Sequence, residues 1–514
     1  MAIKYFAAIC IGSTVTEMKI FEWGGKKAMR EVERISVRMT LGLDVYKNGR
    51  ISSAHIEELC QVLRDFIQVM ESYRVDAHKV CATSAFRESR NLPIIQDYIE
   101  KQTGLKIDVL SNSEQRFVDY KSIASVSAEF EKIIQSPAAI VDIGGSSMQI
   151  SLFDKDKLIT TQNIRIGSVT TRERLAPYVK NSEHFEELVT DLLGHELSGF
   201  GKLYQKDRQI RNLIVIGGNL LELMGPYRLQ DKRITAVTKK QFQSVYESVV
   251  GLSQDQISEQ YNISFDLTGP IVPSAIFSRC LMENLGAETI WLPDYSLCDG
   301  LAYDYGVKNR YLKNCHNFEE DIIAAARSIA KRYKCSQAHI KNLEELALLV
   351  FDRMKKVHGM GKRERLLLQI SVILHNCGKF ISLEDVSECA FNIIMATEII
   401  GLSHAEREMI AYTVKFNTSP FEYYDDLSAK TGITRSQYMI VAKLTAILRM
   451  VNALDRTHHQ KCKNVTAVLK ERTLKITVTS QEDLTLEAGT FNEKAEFFEE
   501  IFNVHPVFKQ RKQI

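Results

Sequence analysis

Ile140-Val-Asp-Ile-Gly-Gly-Ser-Ser-Met-Gln149 is an apolar run that breaks into an acid, two glycines and two hydroxyls. It reads as a buried strand ending in a phosphate-sized turn, because glycines let backbone N–H groups approach an anion and hydroxyls add donors. Asp142, at the strand end, is placed to hold a metal or a water, and Gly144, Gly145, Ser146 and Ser147 to cradle phosphate. One such turn decides little, since glycine turns after strands are common as plain structure. The chain repeats it, however. Ala7-Ala-Ile-Cys-Ile-Gly-Ser-Thr14 runs a small apolar strand into Gly12, Ser13 and Thr14. Leu213-Ile-Val-Ile-Gly-Gly-Asn219 adds Gly217 and Gly218 after a third. Repetition at a distance of about 130 residues suggests two related halves facing one cleft, and three converging turns would make a phosphate clamp.

The totals bound the rest. With 514 residues the chain has room for three or four domains with ample cores. Lys plus Arg (66) nearly balance Asp plus Glu (64), so no broad basic surface for nucleic acid or anionic lipid is expected. The ten cysteines form no Cys-x-x-Cys pair, which argues against a zinc module and fits a reducing compartment. No apolar run reaches about 18 residues, and the N-terminal run continues into the Gly12 turn as a strand. A cytoplasmic protein without a membrane span is therefore expected.

In chain order, Thr16 to Trp23 alternates as a strand, with Gly24-Gly25 closing a hairpin. His55 to Tyr73 has one apolar face, Ile56, Leu59, Leu63, Phe66, Ile67 and Met70, and predicts an amphipathic helix. Lys79 to Asn91 predicts a strand running into a polar turn. Its Arg87 is either a surface arginine or an anion contact beside the glycine turns. Ser111 with Glu114 three residues on predicts a capping box opening a helix after the strand Ile107-Asp-Val-Leu. Residues 318–458 carry helical periodicity with few prolines. From Asn464 the pattern turns to the alternating strand Thr473–Thr479 and a short helix near Ala495–Phe502, a small α+β tail.

These segments resemble the family of exopolyphosphatases and guanosine pentaphosphate phosphohydrolases. Ala8-Ile-Cys-Ile-Gly-Ser-Thr is similar to its A-x-D-x-G-S-N, Ala82-Thr-Ser-Ala-Phe-Arg-Glu-Ser-Arg-Asn to its A-T-S-A-x-R-x-A-x-N, and Val141-Asp-Ile-Gly-Gly-Ser-Ser-Met-Gln to its V-D-I-G-G-G-S-T-E. The likeness continues in order through Arg165-Ile-Gly-Ser-Val, Gly217-Gly218 and Leu297-Cys-Asp-Gly-Leu, and Ile373-Leu-His-Asn-Cys-Gly-Lys-Phe-Ile is similar to L-L-H-D-I-G-K-F-I. The resemblance implies an α/β fold: two actin-like (ribonuclease H-like, sugar-kinase) domains, 1–125 and 126–306, then an all-α HD-like domain, 307–460, and the tail, 461–514. It implies removal of terminal phosphate from polyphosphate or from guanosine penta- or tetraphosphate, a Mg²⁺ or Mn²⁺ ion with Asp142 as its anchor, and a homodimer.

The chain departs from the pattern where the chemistry sits. Gln115 stands at the family's catalytic Glu, the second acid of S-G-x-E-E-A-R, and an amide orients water without accepting its proton. Losing general-base help costs about 10²–10⁴ in rate. Glu114 is adjacent but points about 100° away around a helix. Cys10 replaces the first Asp and Gln149 the Glu that ends the second motif, which weakens a site for a hard cation. In the HD-like segment His339 and His375 match, but Asn376, Cys389 and Asn452 replace three metal ligands, and Asp455 and His458 are assigned no role. Two readings follow: a slowed phosphohydrolase using Asp142 with Gln115 or Glu114, and a binding protein that kept Gly12, Ser13, Thr14, Arg87, Gly144, Gly145, Ser146, Ser147, Gly217 and Gly218 and lost the chemistry. An ATP-dependent kinase on the same fold is disfavoured because no adenosine or sugar pocket is legible. A basic channel for the phosphate chain would have to come from local clusters such as Lys362, Arg363 and Arg365, which read equally as a solvated helix face.

Overall fold

The structure, a computed structural model, describes residues 3–24, 29–124, 128–179, 182–227, 233–313 and 316–511. It divides into two compact units, Met1–Phe318 and Glu319–Ile514.

The first unit contains the same sheet twice. Strands β1 (Lys4–Ile11), β2 (Val15–Trp23), β3 (Arg30–Arg38), β4 (Ala77–Ala82) and β5 (Ile107–Val109) lie in the order β3-β2-β1-β4-β5. Strands β6 (Ala138–Ile143), β7 (Met148–Asp154), β8 (Lys157–Ile164), β9 (Asn212–Gly217), β10 (Ile234–Thr238) and β11 (Thr289–Pro293) lie in the order β10-β11-β9-β6-β7-β8. In each, an antiparallel meander of three strands is followed by a strand that pairs in parallel with the first and by a further strand that pairs in parallel with that one. The second sheet adds β10 as an antiparallel edge. Parallel partners on one side explain why β1 and β6 are apolar over most of their length, since central strands covered on both faces need no polar side. The edge strand β3 alternates arginine and glutamate with Val32, Ile35 and Val37, which keeps it from pairing further.

The predicted amphipathic helix is present as Ser53–Ser72, capped by the Ser52 hydroxyl, with Leu59, Leu63, Phe66 and Met70 buried. The polar turn expected after β4 is instead a short helix, Ser84–Glu88, which carries Arg87. Gly24 follows β2 and β3 pairs back along it; Gly25 lies outside the described residues.

Helix Leu297–Lys308 packs on the first sheet, where Cys298, Leu301 and Ala302 join Phe6, Ala8, Cys10 and Cys81 in one buried cluster. It also brings Asp299 to Lys19, whose side chain is wholly enclosed: Nζ lies 2.7 Å from Asp299 Oδ2. Arg233 Nη2 holds the other carboxylate oxygen at 3.0 Å.

The second unit is helical up to Ala453 and ends in a three-stranded sheet, β12 (Thr466–Lys470), β13 (Thr473–Thr479) and β14 (His505–Arg511), with helix Thr485–Phe502 between the last two strands. The strand predicted at Thr473–Thr479 is present, and the short helix is longer than its apolar pattern indicated. In the run Lys362-Arg363-Glu-Arg365 both arginines are paired with carboxylates. Arg363 forms a two-pronged pair with Glu406 (2.6 and 2.7 Å), and Arg365 one with Asp352 (2.9 Å each). Asp455 and His458, given no role from sequence, join the two matched histidines. Asp455 Oδ2 accepts from or pairs with His339 Nδ1 at 2.7 Å, and the His458 ring stacks on His339 at 3.6 Å. His375 is satisfied by the Val372 carbonyl at 2.6 Å, and burial pushes its pKa down to about 3, so it is neutral.

Candidate functional site

The two hairpin turns are built alike. Gly12 N–H donates to Val15 O at 2.9 Å and Gly144 N–H to Ser147 O at 2.9 Å, so Ser13 and Thr14 match Gly145 and Ser146. Tyr46 links them: its hydroxyl lies 3.3 Å from Ser13 Oγ and alongside Gly145. Ser146 Oγ donates to Glu88 Oε1 at 3.1 Å, a second link between the halves. The third turn closes on the second because β9 runs beside β6, Gly217 opposite Ile143. Gly217 and Gly218 have φ of +78° and +70°, a region that favours glycine.

The 144–147 turn is held from below by helix Ser168–Leu175, whose first amides donate to the carbonyls of Gly144 and Gly145. Gly167, just ahead of it, lies so close that a Cβ there would meet Gly145 O, Ser146 C and Ser147 N at 2.4 Å each.

Helix Asn112–Ala124 supplies the remaining polar groups. Arg116, almost fully buried, donates from Nη2 to Ser147 Oγ at 3.0 Å and places Nε 3.4 Å from Asp142 Oδ2. Arg87 donates to Leu110 O at 2.7 Å, and its charge also acts on Asp142. Burial pushes the Asp142 carboxyl up despite both guanidiniums. Asp119, one turn beyond Gln115, is buried; burial and then the charge of Asp142 push its carboxyl well above the usual range, while the Arg116 guanidinium opposes this. Glu114 is committed elsewhere. Its Oε2 accepts from Ser111 N–H at 2.9 Å, and its own N–H donates to Ser111 Oγ at 3.3 Å, the predicted capping box.

The donor set does not fit a hard divalent cation. Asp142 is paired with a guanidinium, and the matched position on β1, Cys10, is a thiol that burial keeps protonated, 3.1 Å from the Cys298 sulfur. Gln149, opposite Asp142 in the ladder, is a neutral amide. Among the described residues no group of three or more His, Cys, Asp or Glu side chains is arranged to hold a metal ion.

Beside the first turn is a cavity of about 120 Å³. Leu43, Tyr46, Phe265 and Pro270 give it apolar walls, and Arg38 and Arg172 give it charge. Thr14, on the first turn, lines it too.

A model of the Ppx/GppA phosphatase family matches residues 19–308, and one for domain III of that family matches 323–494. The chain belongs to the Ppx/GppA phosphatase family. Relatives named guanosine-5'-triphosphate,3'-diphosphate pyrophosphatase include one from Aeromonas hydrophila, 21% identical over 88% of this chain and 89% of its own. Another, from Pseudoalteromonas translucida, is 24% identical over 87% of each chain. Among solved structures, the Aquifex aeolicus family member aligns with 60% of this chain and 99% of its own, at 19% identity and a TM-score of 0.51. An exopolyphosphatase from Cytophaga hutchinsonii gives the same coverage and TM-score at 15% identity. At such identities the likeness concerns fold, and it accounts for the repeated sheets as the actin-like core of Ppx/GppA proteins.

Sequence reasoning missed Tyr46, Glu88, Arg116 and Asp119. For the last two a signal existed: they follow Gln115 at one and four residues, and the fourth lies on the same helix face.

Proposed function

We propose that this chain is a phosphoanhydride hydrolase that releases terminal phosphate from guanosine pentaphosphate or polyphosphate. The observation that carries this is the Arg116 side chain, which ties Asp142 and the hydroxyl of the Gly-Gly-Ser-Ser turn to the helix bearing Gln115. Turn amides and hydroxyls receive the phosphate oxygens, Arg87 and Arg116 offset their charge, and Gln115 orients the attacking water. Asp142, the carboxylate that would anchor a metal, is paired with Arg116.

The second reading, a phosphate-tail-binding regulator, is favoured by Gln115 at the base position and by Glu114 in its cap. Phosphate release from guanosine pentaphosphate and long-chain polyphosphate, with Mg²⁺, Mn²⁺ or EDTA, separates the two. Turnover that is lost in Arg87→Ala supports the hydrolase. Tight binding of both compounds by a wild type that releases no phosphate under any condition supports the regulator.

The apolar and aromatic walls of the cavity beside the first turn, with Arg38 and Arg172 at its edge, suit a nucleobase next to a phosphate tail. Removing Phe265 is therefore expected to affect the two substrates unequally. Base stacking on an aromatic ring is worth about 1–3 kcal/mol, so Phe265→Ala should weaken guanosine pentaphosphate by about tenfold or more. Polyphosphate affinity should stay within twofold. Equal weakening of both would exclude the cavity from nucleobase binding.

A further inference from the structure

Hydrolysis needs a group that takes the proton of the attacking water, and the side chains nearest the family's base position are not suited to it. Gln115 is an amide, Glu114 closes the cap with Ser111, and Asp142 is paired with Arg116. Glu88 differs from all three. The short helix that carries it, Ser84–Glu88, reaches both hairpin turns. At its start Ser84 Oγ lies 2.6 Å from Ser13 Oγ, and at its end Glu88 Oε1 accepts from Ser146 Oγ at 3.1 Å. The carboxylate is exposed, and among the described residues it has no ion-pair partner. Its second oxygen, Oε2, accepts no hydrogen bond from the described residues and is open to a water. The next hydroxyl of the turn, Ser147 Oγ, is held by Arg116, so the helices bearing Glu88 and Gln115 hold adjacent serines of one turn.

A link between the two halves does not require a charge at this point. A glutamine would accept from Ser146 equally well, whereas a carboxylate beside phosphate-binding donors repels an anionic ligand. A carboxylate placed there against that repulsion suits a task an amide cannot perform, the acceptance of a proton.

We propose, resting on the hydrolase reading above, that Glu88 is the general base of this chain and stands in for the acid missing at Gln115. The water oxygen attacks the terminal phosphorus while its proton passes to the Glu88 carboxylate. The bond from that phosphorus to the bridging oxygen breaks, and the bonding pair leaves on that oxygen as the new end of the shortened tail. Glu88, open to solvent, then releases its proton there. The Ser146 hydroxyl fixes the direction of the carboxylate by holding Oε1 and leaves Oε2 for the water.

The test uses the full chain with guanosine pentaphosphate and long-chain polyphosphate. Glu88→Gln keeps an acceptor for Ser146 and removes the proton acceptor, so kcat should fall about 10²–10⁴-fold while KM stays within a few-fold. Glu88→Ala should lose as much. Both variants should keep the wild-type thermal midpoint, since the side chain is exposed. The acid limb of the wild-type kcat/KM profile should be absent from Glu88→Gln, a change that a merely structural link would not produce. A Glu88→Gln enzyme as active as wild type overturns the assignment, and impairment of Glu88→Ala alone would then make the residue a link between the halves. A loss in Glu88→Gln that excess Mg²⁺ or Mn²⁺ restores also overturns it, because that behaviour marks a metal ligand. Either result leaves the hydrolase reading standing. A wild type that binds both compounds and releases no phosphate overturns that reading and the base with it.

Discussion

Lys19→Met is expected to destabilise the first unit by about 3–5 kcal/mol, the usual cost of removing one partner from a buried ion pair. Methionine is close in size, so little of this is a cavity. The loss comes from Asp299, which is fully enclosed and, among the described residues, is left with Arg233 as its charged partner. Burial alone would push the Asp299 carboxyl up, yet Lys19 and Arg233 together hold it below its ordinary value. Lys19 is likewise held above its ordinary value: burial lowers it, and Asp299, Glu17 and Glu31 more than offset that. The signs fix the pH window. A carboxyl with a lowered pKa stabilises above its unfolded value, near 3.8, and that contribution fades as pH falls further. A lysine with a raised pKa stabilises fully below its unfolded value, near 10.5, and that contribution fades as pH rises beyond it. Urea unfolding should therefore show a gap between wild type and Lys19→Met that is flat through neutral pH and shrinks at both extremes. Asp299→Asn in the Lys19→Met background keeps an acceptor for the Ser296 amide and should recover part of the loss. A gap under about 1 kcal/mol at neutral pH would mean the network contributes no more than a surface pair.

Lys19 also shows what sequence can and cannot reveal here. The central strands were legible because β1, β6 and β9 are apolar over most of their length, and the repeated Gly-hydroxyl ending announced the paired hairpins. Glu114 was legible as a cap because Ser111 precedes it by three. Charged residues were read worse, and for one reason. Whether a charge is solvated or enclosed depends on a partner brought from far along the chain: Asp299 for Lys19, Asp142 for Arg116, Glu406 for Arg363. Local spacing gives a helix face but not such a partner, so Arg116 receives no reading from sequence, and Arg363 and Arg365 read equally as a possible basic channel or a solvated helix face. Helix Ser84–Glu88 escaped because five residues are too few to display a period. Asp455 and His458 escaped because they sit past a helix end, where spacing no longer says which way a side chain points.

Gly167→Ala is the substitution expected to damage the phosphate cleft most while leaving every charged group in place. The glycine is not needed for its backbone torsions, since φ is −124° and ψ 162°, an extended conformation any residue adopts. It is needed for proximity. A methyl group would fall 2.4 Å from three backbone atoms of the Gly145–Ser147 turn, and backbone cannot swing aside as a flexible side chain does. The turn must therefore move away from the amides of Ser168, Val169 and Thr170 that hold it. Overpacking of this kind costs about 1–3 kcal/mol, occasionally more. The functional loss should exceed what that figure suggests, because Ser147 carries the hydroxyl that Arg116 holds and Ser146 the link to Glu88. Displacing the turn separates the proposed phosphate donors from the guanidinium at once, and affinity for polyphosphate should fall by two orders of magnitude or more. Gly199→Ala, at a helix position where a Cβ meets nothing, is the control and should leave binding unchanged. Polyphosphate binding measured on both variants at a temperature where each remains folded decides the matter: if Gly167→Ala binds like wild type, the 144–147 turn is not where the phosphate chain is held.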